Sequence, residues 1–222
     1  MSKWKFPLNF IDFETSATAL PFNKGRRPYE QVAFQFSHHT VDELGVVKHE
    51  SEYINFEPGV FPNFEFVREL KKAALTKNSG SIFMYAPHEN SILNAIFQQL
   101  KDSQESDKKE LQEFIRKISC STKSSPDFWD GERKMIDLCV LVKNYYYDPY
   151  MGGSNSIKAV LPAVLNSSEY LQQKYSRSIA EIGLSSRNFD EGHVWFHFEN
   201  GKLLSPYKIL PPLFEDWTDE QL

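Results

Sequence analysis

The first quarter of the chain carries the hydrophobic pattern of three β-strands. An apolar run over 8–13 predicts a buried strand. Over 31–40 the alternate residues Val32, Phe34 and Phe36 are apolar, which predicts a strand with one strongly apolar face. A third strand is predicted over 46–55. Because the connection between the second and third strands is short, these strands predict an antiparallel meander.

The later pattern alternates between helices and short strands. Helical spacing predicts helices over 64–75, 89–100, 107–118 and 154–165, and short apolar runs predict strands over 81–85 and 135–142. A hairpin is predicted around Asn200-Gly201, with strands over 194–198 and 203–204. We therefore predict an α/β protein with a mixed central sheet, in which an antiparallel meander is followed by parallel βα units and flanked by helices.

Length and charge limit the domain organisation and the kind of partner. A chain of 222 residues suits one good-sized domain with additions, and we predict a domain over 1–165 and a C-terminal extension over 166–222. The extension carries the hairpin and ends in an acidic, proline-containing tail over 211–222 that is expected to pack poorly. The net charge of −5 argues against a protein that holds nucleic acid by bulk positive charge.

Cysteine content and hydrophobicity bear on the compartment. Cys120 and Cys139 are too few and too isolated for a disulfide framework or a zinc site, so we expect two reduced thiols. The sequence has no apolar run long enough to span a membrane, and its start lacks the apolar region of a signal peptide. We therefore predict a cytoplasmic protein without a membrane partner.

The first candidate for chemistry is the pair Asp12 and Glu14 in the predicted first strand. Strand alternation places both carboxylates on the same face. Two adjacent like charges repel, and a divalent cation such as Mg²⁺ relieves that repulsion by binding both oxygen ligands. An edge strand with two solvated acids is the alternative, although the apolar residues on either side disfavour it.

Two further acids lie at or beside predicted strand ends. Glu89 follows the strand over 81–85 and opens a helix, with Pro87 suited to the turn between them. The carboxyl ends of strands are where α/β sheets present their sites, although an acid at a helix start is also stabilised by the helix dipole. Asp137 interrupts the next apolar strand and either supports the site, caps a turn or pairs with a basic residue.

These acids carry a resemblance to DnaQ-like exonucleases of the ribonuclease H-like fold. Asp12-x-Glu14 resembles the first exonuclease motif of that superfamily, and Tyr-Ala-Pro-His-Glu at 85–89 resembles the second, with Glu in place of the usual Asp. Met-Ile-Asp-Leu at 135–138 and the segment 155–161 resemble a later motif. Residues 10–14, 27–39 and 152–162 look more specifically like an uncharacterised bacterial domain family thought to contain such nucleases. The resemblance covers roughly residues 5 to 165.

The resemblance implies a 3′–5′ exonuclease that hydrolyses phosphodiester bonds with two Mg²⁺ or Mn²⁺ ions. Asp12 would bridge both ions, Glu14 would hold the ion that activates water, and Glu89 would hold the second. Single-stranded DNA or RNA ends would be the substrate. The candidate substrate-binding residues are Phe13, Thr15, Arg26, Arg27, His88 and Lys158. The alternatives are core packing for Phe13, a solvated basic loop for Arg26 and Arg27, a turn role for His88 and simple helix capping near Lys158.

One motif of the superfamily has no convincing copy in this chain. A His or Tyr four or five residues before a final Asp should complete the metal site, but Asp190, His193 and His197 have the wrong order or spacing, and Asp148 comes too early. We expect either that the chain is an N-terminal piece of a longer protein with further domains, or that its branch lost this acid. In the second case the chain would be a catalytically silent nucleic-acid-binding or docking module. A hydrolase or phosphotransferase of the same fold with another substrate is a third hypothesis.

Overall fold

The chain forms two compact units in a computed structural model that describes residues 3–72, 78–199 and 202–210. The first unit spans Met1–Leu138 and the second spans Cys139–Leu222. The domain predicted over 1–165 thus contains all of the first unit and the beginning of the second, and its boundary stays a prediction. The predicted acidic tail over 211–222 lies outside the described residues.

A five-stranded mixed sheet with the order β3-β2-β1-β4-β5 forms the centre of the first unit. Its strands are β1 (Leu8–Ser16), β2 (Val32–Val41), β3 (Val47–Ile54), β4 (Ile82–Met84) and β5 (Ile136–Asp137). The first three strands pair antiparallel, whereas β4 lies parallel to β1 and β5 parallel to β4. The predicted meander followed by parallel βα units is therefore confirmed as an α/β architecture with a mixed sheet.

The described residues of the first unit also form the helices α1 (Asn63–Leu70), α2 (His88–Lys101) and α3 (Lys108–Ile118). Their apolar faces join the core side of the sheet in one hydrophobic cluster. At its centre the ring of Phe66 in α1 meets those of Phe13 and Phe36 edge-on, at centroid distances of 4.8 and 5.4 Å. Aromatic pairs of this geometry stabilise a core beyond the area that they bury.

The second strand departs from the predicted alternation. Ala33 and Phe36 are buried, and the ladder with β1 shifts register between Glu14 and Thr15. Glu14 pairs with Gln35 and Thr15 pairs with Ala33, so Phe34 has no partner in β1 and forms a β-bulge. The prediction that Val32, Phe34 and Phe36 share one face is therefore wrong, because an extra residue inverts the alternation at this point.

The second unit contains helices α4 (Leu138–Tyr145), α5 (Ile157–Ser167) and α6 (Glu169–Tyr175), and the strands β6 (Phe198–Glu199) and β7 (Lys202–Leu203). The two strands pair antiparallel, as the predicted hairpin requires, although the turn residues Asn200-Gly201 lie outside the described residues. No helix in the described part of the chain combines the length and the apolarity that a membrane crossing needs.

Three secondary-structure predictions need correction. Of the strand predicted over 194–198, only Phe198 belongs to β6. The strand predicted over 135–142 is a strand only at Ile136–Asp137 and continues as α4, because a short apolar run cannot by itself separate a strand from a helix. Helix α6 was not predicted. It buries none of its residues and therefore has no apolar periodicity, and it begins where the Ser168 hydroxyl accepts a hydrogen bond of 3.3 Å from the amide of Leu171.

Candidate functional site

The carboxyl ends of three adjacent parallel strands bring three acids to one edge of the sheet. Phe10 in β1 pairs with Phe83 in β4, and Met84 in β4 pairs with Asp137 in β5. Asp12 therefore lies within β1, just past the segment that pairs with β4, the turn that leads to Glu89 follows β4, and Asp137 ends β5. This edge is where parallel α/β sheets commonly present their functional groups.

Asp12 and Glu14 lie on the solvent-facing side of β1. Ile11, which precedes Asp12, and Phe13, which lies between the two acids, are only 5% and 4% exposed and belong to the core. Asp12 and Glu14 are both exposed, as the period of the strand requires. The shared face predicted for the two carboxylates agrees with this burial pattern.

A strained turn carries the chain from β4 into helix α2 and so places Glu89. Ala86 has a positive φ of 70°, a conformation that costs a residue with a side chain about 1–2 kcal/mol. The amide of Ala86 donates a hydrogen bond of 3.0 Å to Oδ1 of Asp137. Of the roles open to Asp137, the structure shows this one, in which the carboxylate holds the turn from the neighbouring strand.

Glu89 is a buried carboxyl group with an unpaired oxygen. Its exposed fraction is 3%, and its Oε2 atom has no hydrogen-bond partner among the described residues. The pKa of Glu89 is raised from 4.5 to about 7, chiefly by burial; the charges of Asp12 and Asp137 contribute to the rise, and backbone hydrogen bonds from Glu89 and Phe13 oppose it. An acid stabilised only by the helix dipole would be exposed to water. The burial of Glu89 instead favours a ligand bound to its carboxylate.

Asp12 shares this electrostatic environment. Its pKa is raised chiefly because packing around it removes water, while the nearby His88 lowers the pKa and a backbone hydrogen bond from Phe13 lowers it further. The His88 ring is exposed, and its Nε2 atom lies 3.1 Å from Oγ1 of Thr15, within hydrogen-bond distance. Thr15 and His88 are thus brought together beside the acids.

The donor set fits a hard divalent cation that keeps much of its water. No three His, Cys, Asp or Glu side chains within residues 3–72, 78–199 and 202–210 form a ready-made metal cage. Mg²⁺, however, is commonly bound by one or two carboxylates, with water and substrate phosphate as the other ligands. Asp12 and Glu89 would supply such a pair, because they already interact electrostatically and Glu89 has an oxygen without a partner.

The basic loop after β1 lies along a different part of α2. Lys24, Arg26 and Arg27 line a groove of about 620 Å³ whose other wall includes Gln98. Because a helix rises about 1.5 Å per residue, Gln98 is roughly 14 Å along α2 from Glu89. Arg26 stacks its guanidinium on the ring of Phe61, with 3.4 Å between its Cζ atom and the ring centroid. Lys24 and Arg27 are exposed.

The remaining predicted residues lie elsewhere. The ring of Phe13 is buried in the core, as the packing alternative for this residue proposed. Lys158 belongs to the second unit, where it lies 5.8 Å from the ring centroid of Tyr207, and the hydroxyl of Ser156 accepts a hydrogen bond from the Lys158 amide. The weak late-motif candidates Asp148, Asp190, His193 and His197 are all in the second unit.

Two site features escaped the sequence analysis. The left-handed turn at Ala86 had no signal, because Ala is not a residue that favours a positive φ. The β-bulge that singles out Phe34 beside Glu14 was hidden by a regular-looking alternation of apolar residues. Only the register of the ladder reveals it.

The fold and the site together define an α/β protein with a carboxylate cluster at the carboxyl edge of a mixed sheet. Residues 9–156 match a family described as a domain of unknown function, DUF2779. The match covers more than half of the chain and includes Asp12, Glu89 and Asp137, and the chain belongs to this family. Comparison with the curated proteins found no match, and neither did comparison with the solved structures.

Proposed function

We propose that this chain is a metal-dependent nuclease domain of the ribonuclease H-like fold that removes nucleotides from the 3′ ends of single-stranded DNA or RNA. The observation that carries the proposal is the buried Glu89 carboxyl. Its Oε2 atom has no hydrogen-bond partner in the part of the chain that the structure describes, and it lies close enough to Asp12 for their charges to interact. A bound divalent cation satisfies that oxygen and removes the repulsion between the two acids.

The alternatives for Glu89 explain less of its surroundings. A purely structural acid in the core is normally fully hydrogen-bonded or paired with a basic residue. Glu89 instead lies among other acids, with His88 beside it at the surface. Burying a carboxyl that has one oxygen without a hydrogen bond reduces stability, and functional sites are where such perturbed groups concentrate.

Divalent ions at such a site supply an activated water and stabilise the charge on the attacking and leaving oxygens of a phosphodiester. Asp12 and Glu89 bind the ions, and Glu14, on the same strand face as Asp12, extends the set of oxygen ligands. Asp137 holds the turn that positions Glu89. His88, joined to Thr15 at the rim, is placed to contact a substrate phosphate.

The basic groove along α2 provides a path for the rest of the strand. Lys24 and Arg27 are its exposed cations, and phosphate contacts of this kind position a nucleic acid without reading its sequence. Because the net charge of the chain is −5, phosphate binding here depends on a local pair of cations and not on bulk positive charge.

A catalytically silent binding or docking module is the second candidate function. The observation that favours it is that no three-ligand metal cage is present within the described ranges. Such a module would bind single strands through the same basic groove, without dependence on metal at Asp12 and Glu89.

Calorimetric titration of Mn²⁺ separates the two functions. The wild-type protein, Asp12→Asn and the exposed-acid control Glu43→Gln are compared, together with Mn²⁺-dependent hydrolysis of a 3′-ended single strand. We expect binding and hydrolysis in the wild type and the control, and the loss of both in Asp12→Asn. Absence of Mn²⁺ binding in the wild type, or hydrolysis that Asp12→Asn leaves intact, would contradict the nuclease proposal.

A further inference from the structure

A groove lined by aromatic rings lies in the first unit, directly beyond the candidate metal ligands. It has a volume of about 640 Å³ and is lined by Phe22, Phe34 and Phe56 together with Thr15 and Ser16 at the end of β1. Phe22 and Phe56 expose 71% and 68% of their surface. Large apolar rings this exposed and this close together mark a surface that binds something.

The β-bulge at Phe34 is part of what forms this groove. The bulge occurs where β1 passes from Glu14 to Thr15, and the Phe34 ring lies 5.3 Å from that of Phe56 in a tilted arrangement. Bulges often redirect a side chain next to a functional site. Here the redirected ring lines the groove beside the strand segment that carries the acids.

The lining favours a flat, uncharged ligand group. None of the described residues that line the groove is basic, and Glu57 contributes a carboxylate. A phosphate would be repelled by this lining, whereas a nucleobase offers a flat face for stacking on aromatic rings. The basic groove is separate from it, and there Lys24 and Arg27 offer exposed cations to phosphates, although its lining also includes Asp102 and Glu30, which pairs with Arg26.

The aromatic groove shares Thr15 with the surroundings of the acid site. Thr15 lines the groove and also lies within hydrogen-bond distance of His88, the neighbour of Glu89. At about 3.3 Å per strand residue, Thr15 is roughly 10 Å along β1 from Asp12. A single nucleotide spans such a distance between its phosphate and the far edge of its base.

We infer that the aromatic groove binds the 3′-terminal nucleobase of the strand whose last phosphodiester lies at Asp12 and Glu89. This inference rests on the proposed function and specifies its substrate as an unpaired end recognised by stacking. Since every base has a stacking face, recognition is tolerant of sequence. A paired terminal base cannot enter the groove without leaving its duplex.

Fluorescence of 2-aminopurine tests the inference, because stacking on aromatic rings quenches it. The probe is a short oligothymidylate with 2-aminopurine at its 3′ end, titrated with protein in EDTA and again in Ca²⁺. We expect quenching with the wild type and at least about fivefold weaker binding for Phe22→Ala and Phe56→Ala. The control Phe128→Ala removes an equally surface-located ring, 58% exposed and absent from the groove lining, and should bind like the wild type.

Two results would overturn the inference. One is the absence of quenching in both EDTA and Ca²⁺, and the other is wild-type quenching and affinity in both groove variants. Quenching of a 5′-terminal 2-aminopurine in place of the 3′-terminal one would also contradict it. Failure of the proposed function gives a different result. Mn²⁺ binding and hydrolysis would then be missing, whereas the wild type would still quench the probe in EDTA and the groove variants would still fail to do so.

Discussion

Asp137 Oδ1 accepts a hydrogen bond of 3.0 Å from the amide of Ala86, and this bond ties the end of β5 to the turn that presents Glu89. The turn is strained at Ala86, with its φ of 70°, so the neighbouring strand stabilises a conformation that the turn would not favour alone. Asp137, predicted as a possible supporting acid, therefore holds the turn that presents Glu89.

Replacing Asp137 separates a supporting role from a ligand role. Asp137→Ala removes the acceptor and should lower the free energy of unfolding by about 1–3 kcal/mol and weaken Mn²⁺ binding. Asp137→Asn keeps an acceptor oxygen and should retain most of both. Urea unfolding and calorimetric titration measure the two effects. If Asp137→Asn abolished Mn²⁺ binding as fully as Asp12→Asn, Asp137 would be a ligand after all.

The strain at Ala86 predicts that glycine is favourable there. Ala86→Gly should raise the free energy of unfolding by roughly 0.5–1 kcal/mol, because glycine adopts a positive φ without steric cost. The matched control, Ala95→Gly in the interior of α2, should lower it by about 1 kcal/mol. Urea unfolding of both variants checks the opposite signs, and a loss of stability at position 86 would show that the turn carries no strain.

The burial of Glu89 predicts an unusual dependence of stability on pH. Its pKa is about 7 in the folded state, compared with the ordinary value of 4.5 that we take for the unfolded chain. The folded state therefore holds the proton more tightly. The stability from this group is complete below about pH 4.5 and is lost as the pH rises through 7. Glu89→Gln cannot ionise and should therefore exceed the wild type at pH 8, by on the order of 2–3 kcal/mol.

Thermal unfolding across pH 4 to 8 in EDTA measures this difference between wild type and Glu89→Gln. The advantage of the variant should shrink towards low pH, and Mn²⁺ should stabilise the wild type more than the variant. The exposed control Glu43→Gln should show no such pH-dependent gain. A wild type equal to Glu89→Gln at pH 8 in EDTA would mean that Glu89 ionises without cost.

Metal binding at this site should release protons. A cation replaces the proton on Glu89, since that carboxyl is substantially protonated near pH 7. Calorimetric titrations of Mn²⁺ at pH 6.5 in buffers of different ionisation enthalpy should therefore give different apparent enthalpies, and affinity should rise from pH 6 to pH 8. Equal enthalpies in all buffers would place the metal away from Glu89.

The local sequence pattern identified the candidate acids and predicted most of the strands and helices around them. Alternation along 8–13 placed Asp12 opposite the buried side of its strand, and helical spacing located α2 and α3 to within a few residues. It did not find the bulge at Phe34 or the end of β5, because both depend on pairing with a neighbouring strand. Short apolar runs read alike in a strand and in a helix.

The sequence by itself determined that the chain is an α/β protein with Asp12 and Asp137 in apolar strand segments and Glu89 just after another. Only the tertiary structure decided what each acid does, because burial and charge proximity arise from chain segments far apart in sequence. Glu89 is perturbed by Asp12 and Asp137, which lie 77 residues before it and 48 after it. The groove beside Glu14 likewise exists only because β2, the loop after β1 and the segment after β3 converge there.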